Sequence, residues 1–189
     1  MRTTRTREEF FAELSELIKR EGVSALGVGE IAERLSCSRR RLYEVAPSKE
    51  GLLLEVAKFQ FEESIRAGDA AAAAEENPAK SLMAYLNSGL RSAESLGAKF
   101  LEDLQQLEQG RAMFDEFQIA RSKGARKILD RGVRNGVFKN RNFDVVTEVL
   151  LGAASRLRKP DFLQRAGLTV PQAFGEAYAL VLQGLLTEQ

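Results

Sequence analysis

At 189 residues, 44% of them hydrophobic and 29% charged, with a net charge of +1, the chain has the make-up of a folded globular protein, neither disordered nor membrane-embedded. The single cysteine, Cys37, excludes an internal disulfide, and the absence of histidine excludes Ser-His-Asp and Cys-His catalysis and histidine metal sites, so no cofactor and no enzymatic role is expected. No apolar run is long enough for a membrane helix, and no signal-like stretch follows the basic start, so a cytoplasmic location is expected.

Helical periodicity then dominates the chain. Phe10, Leu14, Leu17 and Ile18 recur at helical spacing, with Glu13, Glu16, Lys19 and Arg20 opposite. Thr6 with Glu9 predicts a capping box, and Gly22 a stop. A short run from Val28 to Leu35 carries Ile31, Ala32 and Leu35 on one face, and Ser36-Cys37-Ser38 breaks it. A second short run, Arg39 to Val45, buries Leu42 and Val45. Pro47 or Ser48 then caps a longer helix with Leu52, Leu53, Val56, Ala57 and Phe59.

An alanine-rich tail and a loop ending at Asn77-Pro78 lead to a helix with Leu82, Tyr85, Leu86, Gly89, Leu90 and Ala93 on one side. Gly97 interrupts it. Phe100, Leu101, Leu104 and Leu107 define a short helix ending near Gly110, and a longer one runs from about Arg111 to Arg134 with Met113, Phe114, Phe117, Ala120, Ile128 and Leu129 inward. Phe143 to Leu157 is strongly apolar, through Val145, Val146, Val149, Leu150, Ala153 and Ala154, and Pro160 prevents its continuation. After a polar stretch, Val170-Pro171 begins a last helix with Phe174, Ala177, Tyr178, Val181, Leu182, Leu185 and Leu186. The expectation is an all-α protein of about nine helices without internal repeats.

The two short runs, joined by a tight turn, predict a helix-turn-helix, whose second helix fits a DNA major groove. Ser38 caps that helix, and Arg39, Arg40, Arg41 and Glu44 point outward. Arginines there neutralise phosphate and can grip guanine with two hydrogen bonds. Glu44 either accepts from a cytosine amino group or repels the backbone. An arginine triplet on a helix is also, on its own, an ordinary solvated face. Arg2, Arg5 and Arg7 fit equally a tail and a DNA-contacting arm. Cys37 reads as a small residue packed into the turn.

The stretch from Ile31 to Leu53 resembles the signature of the tetracycline-repressor (TetR) family. The matching positions are Ile31, Ala32, Ser38, Leu42, Tyr43, Ser48, Lys49, Glu50, Leu52 and Leu53. Ser36 replaces the family's turn glycine, Cys37 its turn valine, Ala46 a phenylalanine and Glu44 a histidine, and Arg40 stands where a small residue is usual. The resemblance implies that Ser38, Arg41, Tyr43 and Lys49 meet phosphate or bases of double-stranded DNA. It further implies a homodimer on a pseudo-palindromic operator, repression more than activation, and release by a small-molecule effector.

The resulting division is a DNA-binding domain at 1–50 and an effector-binding and dimerisation domain at 51–189. Tyr85, Phe100, Met113, Phe114, Phe117 and Tyr178 are candidates to line an effector pocket; ordinary core is the other reading of that pattern. The helices around 143–157 and 171–187 have apolar faces wide enough for a four-helix interface between two copies. A ligand-binding or protein-interaction module of the same fold without DNA binding is the alternative to a regulator.

Overall fold

The computed structural model describes residues 5–157 and 159–187; Arg2 and the side chain of Ala154 lie outside the described residues. Ten helices are present among them: α1 (Arg7–Glu21), α2 (Val28–Arg34), α3 (Arg39–Tyr43), α4 (Lys49–Ala73), α5 (Pro78–Glu94), α6 (Ala98–Gln106), α7 (Glu108–Arg134), α8 (Phe143–Leu157), α9 (Pro160–Ala166) and α10 (Val170–Leu185). The all-α expectation holds. Two compact units form: one from residues up to Ser64 together with Arg91–Gln118, the other from Ile65–Leu90 together with the chain from Ile119. Helices α4, α5 and α7 each give residues to both.

Helix ends follow their chemistry. Thr6 and Glu9 form the reciprocal capping box of α1, and Gly22 closes it at φ 71°. Ser48 Oγ accepts the Gly51 N–H at 3.0 Å at the head of α4, so Ser48 is the cap and not Pro47. Thr169 with Gln172 repeats the capping box on α10.

The first unit packs Phe10, Leu14 and Ile18 of α1 against Ile31, Leu42, Leu52, Leu53 and Val56. Phe100 and Leu104 of α6 complete that core, both fully buried. Side chains of this size contribute about 1.5–3 kcal/mol each when buried. Asp103 ties α6 to the loop after α1, accepting the Val23 N–H at 2.6 Å and the Ser24 N–H at 2.8 Å. Gly22 must be glycine beside it, because a Cβ would lie 2.4 Å from the Asp103 carboxylate and φ is positive. At the other end of α6, the Gly97 N–H donates to the Lys19 carbonyl at 2.9 Å.

The second unit closes around Leu82, Tyr85, Leu129, Phe138, Phe143 and Phe174. Phe138 lies over Gly132, and the end of α10 pairs with the turn after α7 through Lys139 N–H to Leu185 O, 2.7 Å, and Thr187 N–H to Val137 O, 3.1 Å.

Four local expectations change. The polar stretch after Pro160 is a helix, α9, with Pro160 in its first turn and no buried residue. Gly110 does not end a helix; α6 stops at Leu107, and Gly110 sits inside α7, where a Cβ would lie 2.1 Å from the Leu104 carbonyl. Phe59 stays at the surface, edge-on to Phe11 at 5.4 Å, and Phe61 takes the core position. Val45 is half-buried and follows α3, which ends at Tyr43; Ala46 is the buried neighbour.

Candidate nucleic-acid interface

The turn between α2 and α3 is a complete helix-closing motif. Cys37 N–H reaches the Ala32 carbonyl at 2.8 Å, and Ser36 N–H the Glu33 carbonyl at 2.9 Å. This crossed pair needs a left-handed residue between, and Ser36 supplies it at φ 47°. A serine there suffers the Cβ–carbonyl crowding that glycine escapes. Ser36→Gly is therefore expected to raise stability by up to about 1 kcal/mol, and Ser36→Val to lower it by about 1–2 kcal/mol. Urea denaturation midpoints check both; a destabilised glycine variant would refute the strain.

Arg5 seals this turn from outside. Its Nη2 donates to the Leu35 carbonyl at 2.6 Å and the Ser36 carbonyl at 3.1 Å, while Nη1 pairs with Glu13. The arginine is thus engaged in holding the turn. Cys37 packs against the core, and burial pushes its thiol up, against the opposing charges of Arg5 and Arg41, so it stays protonated.

Beyond the turn, Ser38 Oγ accepts the Arg41 N–H at 3.2 Å and starts α3, while Leu42, fully buried, anchors it. That leaves one face for solvent. Arg39 and Arg40 are exposed, Arg40 with 91% of its side chain accessible. Arg39 leans over Gly29 of α2, where a Cβ would lie 2.7 Å from its Nη2. Tyr43 is half exposed at the helix end. Arg41 lies 5.1 Å over the Phe10 ring and pairs with Glu44 at 3.2 Å; Arg40 Nε is 3.8 Å from the same carboxylate. Lys49 turns to the Leu26 carbonyl at 3.1 Å.

Six of the seven candidate residues, Ser38 to Arg41 with Tyr43 and Glu44, therefore form one small patch, and the Lys49 ammonium is bonded within the fold. Arg5 was visible in the sequence only as part of a basic start. The six effector candidates are divided: Phe100, Met113, Phe114 and Phe117 belong to the first unit, where Phe117 stacks on Phe61 at 4.4 Å, and Tyr85 and Tyr178 to the second.

Residues 11–56, which include α2, the turn and α3, match the family described as bacterial regulatory proteins, tetR family. The chain carries a TetR-family N-terminal domain. Its whole length shares the fold of solved TetR-type structures. The TetR family regulator PfmR from Thermus thermophilus is 23% identical, with 98% of this chain and 100% of that one covered at a TM-score of 0.65. A regulator from Saccharomonospora viridis, in complex with choline, is 16% identical, covering 96% and 98% at a TM-score of 0.79. A TetR family regulator from Agrobacterium tumefaciens is 17% identical, covering 96% and 97% at 0.65. A search of the curated proteins gives no match. At these identities the likeness establishes the fold. Among the described residues, no helix is long and apolar enough to cross a membrane.

Proposed function

We propose that this protein is a cytoplasmic transcriptional repressor that binds a pseudo-palindromic operator as a homodimer and is released by a small-molecule effector. The observation that carries the reading is the capped, core-anchored α3 with Arg39 and Arg40 held out to solvent inside a TetR-family domain. Two such helices in successive major grooves would read two half-sites. DNA contact is assigned to residues 1–50, and effector binding and dimerisation to the remainder.

Anisotropy titrations of duplexes from the protein's own gene neighbourhood test it. Salt-sensitive, sequence-selective binding is expected. Weak binding, equal for all sequences, would leave the fold without this role.

Dimerisation is assigned to α8 and α10. Val145 and Val149 on α8 and Leu180 on α10 expose more than half of their surface. Gly152, Gly175 and Gly184 have open space where a Cβ would be. Large apolar side chains beside small ones suit close helix packing between copies. Val149→Asp with Leu180→Glu is expected to convert the dimer to a monomer in sedimentation velocity at micromolar concentration; an unchanged dimer moves the interface elsewhere.

An effector reading draws support from the Saccharomonospora structure, solved with choline. Release requires that the effector bind the DNA-competent and the free states with different affinity.

A further inference from the structure

The end of α3 carries an acid among cations. From Leu35 to Lys49 the charged residues are Arg39, Arg40, Arg41, Glu44 and Lys49, so Glu44 is the sole carboxylate of that stretch. It is the C-cap of α3, and its N–H donates to the Arg40 carbonyl at 3.0 Å. An acid is unfavourable at a helix C-terminus, where the last carbonyls point outward, so helix stability does not account for it. Packing does not account for it either, because the side chain is half exposed and outside the core.

The carboxylate is nevertheless held in place. Arg41 Nη1 donates to Glu44 Oε2 at 3.2 Å, and Arg41 in turn lies 5.1 Å over the buried Phe10 ring. Arg40 Nε stands 3.8 Å from Glu44 Oε1, too far for a hydrogen bond. A carboxylate can accept about four hydrogen bonds, so the bond from Arg41 leaves Oε1 open to a further donor. Arg40 and Glu44, four residues apart, stand on one face of the helix. Four residues of helix span about 6 Å, so a duplex that meets Arg40 meets Glu44 within about two base-pair steps.

We infer that Glu44 is a specificity-determining residue that selects a C·G base pair, with Oε1 accepting from the cytosine amino group. This rests on the reading of α3 as the helix that enters the major groove. In that groove only the amino groups of cytosine and adenine donate. The adenine amino group stands between two acceptors, its own N7 and the thymine O4, and both repel a carboxylate. The cytosine amino group has an acceptor, the guanine O6, on one side only. Phosphates repel any acid in the groove, and Arg40 and Arg41 beside Glu44 offset that repulsion. A matching pair then gives the carboxylate a donor, and a mismatched pair leaves it unsatisfied, which is discrimination by penalty.

Selection of binding sites from a library of random duplexes, run with full-length wild type, Glu44→Ala and Glu44→Gln, tests the inference. Wild type is expected to require a C·G pair at one position of the half-site, and duplexes changed there to bind about tenfold weaker. Glu44→Ala should lose that preference and keep the other positions, with the melting temperature unchanged. Glu44→Gln should move the same position towards adenine, whose N6 and N7 together pair with a side-chain amide. A carboxylate that only repels the backbone gives a different result: both variants bind every sequence more tightly and prefer the same bases as wild type. That result overturns the role of Glu44 and leaves the regulator. Wild type that selects no sequence removes both.

Discussion

Arg39→Ala with Arg40→Ala is expected to weaken operator binding by roughly 10²–10³-fold while leaving the melting curve unchanged. Both side chains are exposed and neither belongs to the core, so their removal costs stability little, within about 0.5 kcal/mol. Their absence from both copies of the proposed dimer should also flatten the dependence of log affinity on log salt, by about 0.9 for each phosphate no longer neutralised. Arg41 is left in place, because it lies over Phe10 and pairs with Glu44, and its removal would mix folding with binding. Anisotropy across a salt series reads both quantities. Affinity and salt slope equal to wild type would remove α3 from the interface.

Asp103→Ala is expected to destabilise the protein by about 2–3 kcal/mol, a melting decrease of roughly 5–10 °C. The substitution leaves the Val23 and Ser24 amides without their acceptor, and Val23 is buried. Asp103→Asn keeps one acceptor oxygen and should lose about half as much. Burial alone would raise the Asp103 carboxyl, but hydrogen bonds from Ser24 and Val23 and the nearby Lys99 charge hold it below the usual carboxylate value. A carboxyl lowered in the folded state stabilises it above the unfolded value, about pH 4, and this is lost as pH falls through the folded value. The advantage of wild type over Asp103→Asn should therefore be full at neutral pH and shrink in acid below about pH 4. Melts at pH 7 and pH 3 check this; a gap of the same size at both would refute the ionic part.

Much of the fold was legible because its signals are local. Thr6 with Glu9, Gly22, and the apolar stripe of Phe143–Leu157 each fix an element by short-range rules, and the structure places them where the sequence does. The helix-turn-helix was legible for the same reason, through Ser38, Leu42 and the Ser48 cap. What failed depends on tertiary contact. Gly110 looks like a helix stop, yet marks a close approach to the Leu104 carbonyl. Helix α9 buries nothing and so leaves no apolar period to read. Aromatic residues at helical spacing announce burial but not which core they enter, so Phe117 and Tyr85 look alike in the sequence and the structure separates them. An arginine held by the fold and one free in solvent cannot be told apart by sequence. The same limit hid Arg5, whose acceptors are main-chain carbonyls 30 and 31 residues away.

The link from Asp103 to Val23 spans 80 residues, and it sets an order of events during synthesis. When the helix-turn-helix leaves the ribosome its loop amides have no acceptor and its core lacks Phe100 and Leu104. The chain must first produce the segment 65–90, which belongs to the other unit, before α6 arrives to close the first. The core around the helix-turn-helix is thus incomplete until more than half of the polypeptide exists, which, on the proposed function, delays DNA binding until then. Grafting is constrained in the same way. A chimaera that exchanges only the helix-turn-helix segment inherits a foreign α6, and its success turns on whether that helix offers a carboxylate at the position of Asp103 and a glycine at that of Gly97.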